Sequence, residues 1–405
     1  MVFIGQWGSR SLTISLKPNC VTVSFDDPAE ATVLSYDLAG RLWTAYLDGV
    51  SYRRGLDGKM IAKWRAPGNE RKRHWLASTE AAAVEQRAHD EMAGLVHALE
   101  TDEFSINTPL PPDGMEVLCR AAAFDHTQSL ADAEGFQQVY KPIGILPPDR
   151  YMSIVLQVTE GCSFNTCTFC TFYKDRPFRI KSPREFRAHS AAVRDYLGAG
   201  ISLRRTIFLG DANALVIPMA RLLPLIDVVH QEFDVSASGG IYAFLDGFSG
   251  EKKSSEDYAV LADQGLTRVY IGLESGHDAL LSFLKKPGTA ADSVAAVRAM
   301  KEGGIAVGVI ILLGAGGRQF SQEHVTDTAR VLNVMDLGAD DIVYFSEMIT
   351  SEGMPYAQDA LNAGLVPLTH PECTAQQEAI EARLIFRKEQ GLPRTSRYDI
   401  REFIY

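Results

Sequence analysis

The chain has 405 residues, 46% of them hydrophobic, and a formal net charge of −11. That length can bury a core spread over two or three domains, and the composition is that of a globular protein, not a fibrous or disordered one. The acidic balance argues against a broad nucleic-acid footprint, and no apolar run reaches the ~18 residues that cross a bilayer. Residues 1–16 lack a basic stretch followed by a sustained apolar block, so no secretory signal is read and the expected compartment is cytoplasmic.

The first 65 or so residues read as β-rich. Val21, Val23 and Phe25 alternate with polar residues, and further strand patterns cover 32–36, 41–47, 50–54 and 59–64. Asp48-Gly49 and Asp57-Gly58 separate them, and glycine supplies the positive φ that a tight hairpin turn needs. The expectation is an antiparallel meander. The short basic run Arg71-Lys72-Arg73-His74 reads as a solvated turn. A helix is predicted over 79–99, capped by Ser78 or Thr79, with Ala81, Val84, Ala88, Met92 and Leu95 on one face. A second helix is predicted near 115–123, and the proline-rich stretch 142–148 marks a domain boundary.

From Tyr151 the rhythm changes. Strand patterns recur at 153–158, 206–209, 235–237 (extendable to 243), 268–273, 307–313 and 341–345. Helical patterns lie between them at 184–197, 214–233, 254–264, 290–303 and 321–337. Continuous Val/Ile/Leu strands alternating with helices imply a parallel sheet covered by helices, with ligands at the carboxyl ends of the strands. The fold class is therefore α/β. We expect a partial (βα)6 TIM-like barrel over 149–350, a β-rich α+β domain over 1–148, and a C-terminal helical extension over 351–405 with a helix at 374–389.

Three of the six cysteines, Cys162, Cys167 and Cys170, crowd one loop just past the first of these strands, spaced C-x4-C-x2-C. Six cysteines are too few for a disulfide scaffold, and a tight cluster in an intracellular chain reads as metal-binding or catalytic. Three thiolates can hold three irons of a [4Fe–4S] cluster and leave the fourth iron open to a small molecule. Zinc with His189 or Cys373 as fourth ligand, or thiols without a role, are the alternatives. No second C-x-x-C supports a structural zinc site.

A cysteine triad after the first strand, followed by six strand–helix units, resembles the radical S-adenosylmethionine (SAM) superfamily over about residues 150–350. The usual spacing there is C-x3-C-x2-C, so the first gap here is one residue longer. The resemblance implies a [4Fe–4S] cluster on Cys162, Cys167 and Cys170, SAM as a cofactor, either consumed or regenerated, and Phe169 near the adenine. It also places Gly210 and Asp211, in Leu209-Gly210-Asp211-Ala212-Asn213, beside the SAM amino group, and Glu274 and Ser275 near its ribose and carboxylate. The segment Leu284-Lys285-Lys286-Pro287-Gly288-Thr289 resembles one found in the coproporphyrinogen dehydrogenase and elongator-like branch. Each residue has a plainer reading: Asp211 as a helix cap, Glu274 as a surface carboxylate, Lys285 and Lys286 as solvated cations. Gly314-Ala315-Gly316-Gly317 lacks the Lys-Ser/Thr ending of a nucleotide P-loop and reads either as a turn near SAM or as a plain strand-to-helix turn.

The implied reaction is reductive cleavage of SAM to a 5′-deoxyadenosyl radical that takes hydrogen from a small-molecule or peptide substrate. A one-electron donor such as a flavodoxin or ferredoxin would be a partner, and neither membrane nor nucleic acid is expected as one. The alternative is a non-catalytic iron–sulfur or zinc protein that uses its sheet for binding or assembly.

Overall fold

A computed structural model describes residues 1–26, 31–101, 105–246, 248, 252–351, 353–386 and 391–405. The chain divides into two compact units, Met1–Pro142 with Ala191–Arg205 and Ile404–Tyr405, and Ile143–Ser190 with Thr206–Phe403.

The first unit is the expected meander, with three strands more than the sequence pattern announces. Successive antiparallel strands are β1 (Val2–Trp7), β2 (Arg10–Leu16), β3 (Cys20–Asp26), β4 (Ala31–Asp37), β5 (Leu42–Leu47), β6 (Val50–Arg54), β7 (Met60–Arg65) and β8 (Arg71–Trp75). A two-residue β9 (Ser105–Ile106) pairs with β1, so the order is β8-β7-β6-β5-β4-β3-β2-β1-β9. Asp48 at φ 52 and Gly49 at φ 76 make the β5–β6 turn, the doubly positive geometry that Asp-Gly favours. Residues 71–74 are strand, not turn.

Alternation places Leu12, Ile14, Val23, Phe25 and Leu34 on one face of this sheet. There they pack with Ala88, Met92 and Leu95 of helix α1 (Ser78–Glu100). Each such large side chain contributes about 1.5–3 kcal/mol by leaving water. The helix cap is Ala77, not Ser78 or Thr79: Glu80 Oε2 reaches back to accept the Ala77 N–H at 2.7 Å. Helices α2 (Pro112–Ala122) and α3 (His126–Val139) complete the unit. Buried Arg54 joins β6 to α1 through Glu85 at 3.3 Å and to α3 through Asp132 at 3.1 Å.

The second unit is α/β. In chain order it holds β10 (Ser153–Gln157), the short β11 (Thr159–Glu160) and β12 (Arg179–Ile180), the first half of α4 (Pro183–Leu197, whose residues from Ala191 on belong to the first unit), β13 (Thr206–Gly210), α5 (Met219–Glu232), β14 (Ile241–Leu245) and α6 (Ser255–Asp263). Then come β15 (Leu266–Glu274), α7 (Asp278–Phe283), α8 (Ala290–Glu302), β16 (Ala306–Leu313), α9 (Gly317–Asn333), β17 (Ile342–Glu347), α10 (Pro355–Asn362), α11 (His370–Glu381) and β18 (Arg394–Tyr398). The main sheet runs β10-β13-β14-β15-β16-β17-β18, and its pairs are parallel.

Two expectations change here. The third parallel strand is Ile241–Leu245, not 235–237, because Asp234 Oδ1 accepts the Ala237 N–H at 3.0 Å and bends that segment into a turn. The tail from 351 does more than pack as helices, since it returns to add β18 as a seventh parallel strand. The helix predicted at 374–389 is α11, starting at His370 and ending at Glu381; its predicted last residues, 387–389, lie outside the described residues. Near the amino ends of the strands, Asp149 accepts from Tyr270 Oη at 2.8 Å and pairs with Arg268 and Arg150, each at 3.0 Å.

Candidate active site

The site is built around the loop that leaves β10. β11 and β12 pair antiparallel, Thr159 with Ile180 and Glu160 with Arg179, and close the loop at its base like a clasp. Arg179 donates to both oxygens of Glu160 at 2.8 Å, and these hydrogen bonds pull the Glu160 carboxyl down to about 2. Lys181 Nζ donates to the Gln157 carbonyl at 2.7 Å. Gly161, at φ +75, is the pivot, where a Cβ would lie 2.8 Å from the Pro177 carbonyl oxygen.

Between these anchors lie Cys162, Cys167 and Cys170, partly exposed and not disulfide-bonded. The loop is also held from outside. Thr168 N–H donates to the Leu284 carbonyl at 3.0 Å, Thr166 Oγ1 to the Lys285 carbonyl at 3.1 Å, and Tyr356 N–H to the Thr168 carbonyl at 3.1 Å. The Lys285-containing segment is thus a seat for the cysteine loop, made by its backbone.

Asp211 follows β13. It is 5% exposed, and its oxygens are engaged from several sides. Gln157 Nε2 donates at 2.7 Å, Gly161 N–H at 3.0 Å and Arg176 Nε at 3.1 Å, while the Asp211 N–H donates to Thr159 Oγ1 at 2.9 Å. Burial pushes its carboxyl above the usual carboxylate range, against the pull of Arg176, Gln157 and the Gly161 N–H. Asp211 does not cap a helix. It ties the end of β10, the pivot of the cysteine loop and the far side of that loop to the end of β13. Gly210 precedes it with its carbonyl accepting from Thr159 Oγ1 at 3.2 Å. Two residues on, Asn213 Nδ2 donates to Ser163 Oγ at 3.1 Å and also to Asp246.

Glu274 ends β15 at φ +61, a conformation uncommon outside glycine, at a register shift between Gly272 and Glu274. Its side chain folds back across Gly272, where a Cβ would stand 2.3 Å from Glu274 Oε1. Lys286 Nζ lies 3.8 Å from that oxygen, and both side chains are nearly buried, at 10% and 12% exposure. Burial raises the Glu274 carboxyl, with Lys286 opposing. Lys286 also sits 5.5 Å from the centre of the Phe248 ring, which stacks edge-on against Phe164 of the cysteine loop at 5.0 Å. The two lysines therefore part company. Lys286 is enclosed beside Glu274, and Lys285 is an exposed cation 3.0 Å from Asp359. Lys286→Met strands a buried carboxylate, and we expect it to cost about 3 kcal/mol at neutral pH. Lys285→Met removes an exposed pair, which is worth about 0–1 kcal/mol. Urea midpoints of the two variants check this, and equal midpoints would refute the assignment.

Three of the candidate positions are already engaged by other parts of the chain. Ser275 is fully buried; its hydroxyl accepts the His277 N–H at 3.0 Å and lies 2.7 Å from His324 Nδ1, so it holds the turn beneath Glu274 and has no surface for a ligand. Burial lowers His324 to about 4, keeping that imidazole neutral. The Gly314–Gly317 turn is covered by the tail. Gly314 N–H donates to Gln376 at 2.8 Å, Gly316 N–H to Tyr356 Oη at 3.0 Å, and Gly317 N–H to the Gly314 carbonyl at 3.1 Å, so it is a strand-to-helix turn. The zinc alternatives are also spoken for. His189 Nε2 accepts the Gln157 N–H at 3.0 Å, and Cys373 packs against Gly314. Phe169 packs against an apolar cluster that includes Leu280, Leu312 and Met354.

Sequence reading missed Gln157, Arg176 and the enclosure of Lys286. A polar residue closing an otherwise apolar strand was the available signal for Gln157; Arg176 had none.

The donor set suits an iron–sulfur cluster. Cys167 lies within electrostatic reach of both Cys162 and Cys170, and burial lifts its thiol to about 11, with Lys286 pulling the other way. Burial also raises Cys170. Metal binding must displace those protons. Among the described residues no group of three or more His, Cys, Asp or Glu side chains is gathered about a single metal ion. A cluster makes a different demand, since each of three irons takes its own thiolate.

No curated protein sequence matches the chain. Solved structures similar to it include coproporphyrinogen III oxidase (HemN) from Escherichia coli, at 14% identity and TM-score 0.41, covering 62% of this chain and 54% of that one. An N-terminally truncated Elp3 from the archaeon Methanocaldococcus infernus matches at 14% identity and TM-score 0.39, over 53% of this chain and 54% of that one. SuiB from Streptococcus suis, bound to S-adenosylmethionine, matches at 11% identity and TM-score 0.41, over 87% and 72%. The chain thus spans little more than half of the first of these structures. The family model described as the radical SAM superfamily matches residues 156–332, a span that opens at the end of β10, takes in the whole cysteine loop and reaches into α9, so this part of the chain is a radical SAM domain.

Proposed function

We propose that the protein is a radical SAM enzyme whose [4Fe–4S] cluster is held by Cys162, Cys167 and Cys170. The observation that carries this is three free thiols on one loop at the carboxyl end of the first parallel strand, clamped by Asp211 beneath and seated on residues 284–285. When bound, the cluster would supply one electron for the reductive cleavage of SAM to methionine and a 5′-deoxyadenosyl radical, the species that would take hydrogen from a small-molecule or peptide substrate.

The chain's own residues do the positioning. Asp211 and Arg176 hold the pivot of the loop, so in this reading Gly210 and Asp211 shape the SAM pocket through the backbone. Glu274 and Lys286 place a buried, compensated charge pair beside Cys167, where a polar cosubstrate meets the loop. Phe169, on its apolar cluster, offers a face for the adenine. The sheet, read as a partial TIM-like barrel, keeps water from the radical. The electron comes from a one-electron donor such as a ferredoxin or flavodoxin, and six free cysteines suit the reducing cytoplasm. Among the described residues no helix is long and apolar enough to cross a membrane.

The test is anaerobic reconstitution with iron and sulfide, reduction with dithionite, and addition of SAM. 5′-Deoxyadenosine and methionine should form in equal amounts. Cluster-loaded protein that forms neither product, and whose spin-resonance signal ignores SAM, would sink the reading.

A further inference from the structure

The turn that carries the chain out of β15, just past Glu274, is fixed from one side by α9. Three consecutive residues of it meet that helix. Ser275 Oγ lies 2.7 Å from His324 Nδ1, the Gly276 N–H donates to Thr328 Oγ1 at 2.9 Å, and His277 Nδ1 lies 2.8 Å from Asp327 Oδ2. Positions 324, 327 and 328 fall on one face of a helix. The approach is close: a Cβ on Gly276 would stand 2.4 Å from the Asp327 carbonyl oxygen.

His324 is the centre of this contact. Ser275 Oγ accepts the His277 N–H at 3.0 Å and Thr328 Oγ1 accepts the Gly276 N–H, so each hydroxyl has its own hydrogen to give. Both oxygens face the same imidazole nitrogen, at 2.7 Å for Ser275 and 3.4 Å for Thr328. With Nδ1 as the shared acceptor, both hydroxyls are turned so that their lone pairs meet the two amides of the turn. The ring's hydrogen then sits on Nε2, which is buried and has no hydrogen-bond partner among the described residues. A buried donor left unpaired costs stability, and a leucine would fill the same space without that cost. What Nδ1 holds explains this imidazole better than packing does.

What it holds leads back to Glu274. At φ +61 that residue is strained, and such a conformation persists only where its surroundings over-determine it. The Ser275 N–H closes on the Leu273 carbonyl at 2.7 Å, and the next two amides are the ones fixed through Thr328 and Ser275. We infer that His324 and Thr328 are positioning residues for the SAM site: through the Ser275–His277 turn they keep Glu274 folded back toward Lys286, so that SAM meets a carboxylate already in place. This role rests on the proposed radical SAM function and needs no contact of either residue with SAM.

Equilibrium dialysis of labelled SAM against the cluster-loaded, unreduced protein gives its dissociation constant without turnover. His324→Leu and Thr328→Val should each weaken SAM about tenfold, the equivalent of one strained residue that SAM would then have to restore, with iron content and visible absorption as in the parent. His324→Asn, which puts an acceptor oxygen near the place of Nδ1, should stay within about twofold of the parent. Amide exchange over residues 274–277 should quicken in His324→Leu and Thr328→Val but not in His324→Asn. Thr328→Val keeps the shape of the side chain and carries the test alone if His324→Leu does not fold. Parent-like SAM affinity in Thr328→Val or in a folded His324→Leu, or a His324→Asn as weak as His324→Leu, would overturn the inference and leave the radical SAM function standing. A cluster-loaded parent that binds no SAM would overturn both.

Discussion

Cys167→Ala, reconstituted anaerobically beside the parent protein, should carry no four-iron cluster and form no 5′-deoxyadenosine above background. The reason is local. Three thiolates from one loop are the minimum that holds such a cluster with an open iron, and no other cysteine can step in. Cys373 is buried against Gly314 and Cys20 is buried in the first unit, leaving Cys119 as the exposed one outside the loop. Folding should survive, because the loop's frame rests on Glu160, Asp211 and the backbone of Thr168, not on the Cys167 sulfur. Far-ultraviolet dichroism and the melting midpoint should match the parent, and Cys119→Ala should keep both cluster and activity. A Cys167→Ala protein with the broad visible absorption of a four-iron cluster would show the ligands are elsewhere.

The second large effect belongs to a residue that the proposed mechanism never asks to touch a reacting atom. Asp211→Ala removes the acceptor for Gln157, the Gly161 N–H and Arg176 in one step. It leaves a guanidinium of 7% side-chain exposure without that carboxylate, although Asp175 keeps a contact at 3.0 Å. Breaking a buried pair by deleting one partner costs about 3–5 kcal/mol, and the loss should appear as a lower urea midpoint. Cluster content should fall with it, because Gly161 is the pivot from which the cysteines are aimed. Asp211→Asn keeps an acceptor for Gly161 but puts an amide against Arg176, so its midpoint should fall between the two. If Asp211→Ala unfolds and loads iron like the parent, Asp211 does not organise this loop.

These two residues mark how far the sequence could be read. Cys162, Cys167 and Cys170 were legible because their message is local: spacing within one loop and a strand just before it. The strands β10, β13, β15, β16 and β17 were legible for a related reason, as helix-covered parallel strands become unbroken Val/Ile/Leu runs. Asp211 was noticed, but its partners Gln157 and Arg176 come from 54 and 35 positions away, and no periodicity encodes that meeting. Lys285 and Lys286 look alike in sequence and differ only in which side of a turn they fall on. The burial of Ser275, and which of its two readings the Gly314–Gly317 turn follows, were not legible because the groups that occupy them, His324, Gln376 and Tyr356, lie far along the chain. β18 escaped because Arg394-Thr395-Ser396-Arg397-Tyr398 has no apolar run: its strand character comes from β17, not from itself.

That last strand bears on how the protein reaches its native state. β17 is an apolar ribbon, Ile342-Val343-Tyr344-Phe345, and the strand that covers its free edge begins only at Arg394. Closing so long a connection costs about 3 kcal/mol in chain entropy before any pairing is recovered. Until it closes, β17 offers bare N–H and C=O groups and a sticky side-chain row to any neighbouring chain. Crowded, fast synthesis should therefore favour intermolecular strand pairing over completion of the sheet, and slow, dilute or chaperone-assisted production should favour the native molecule.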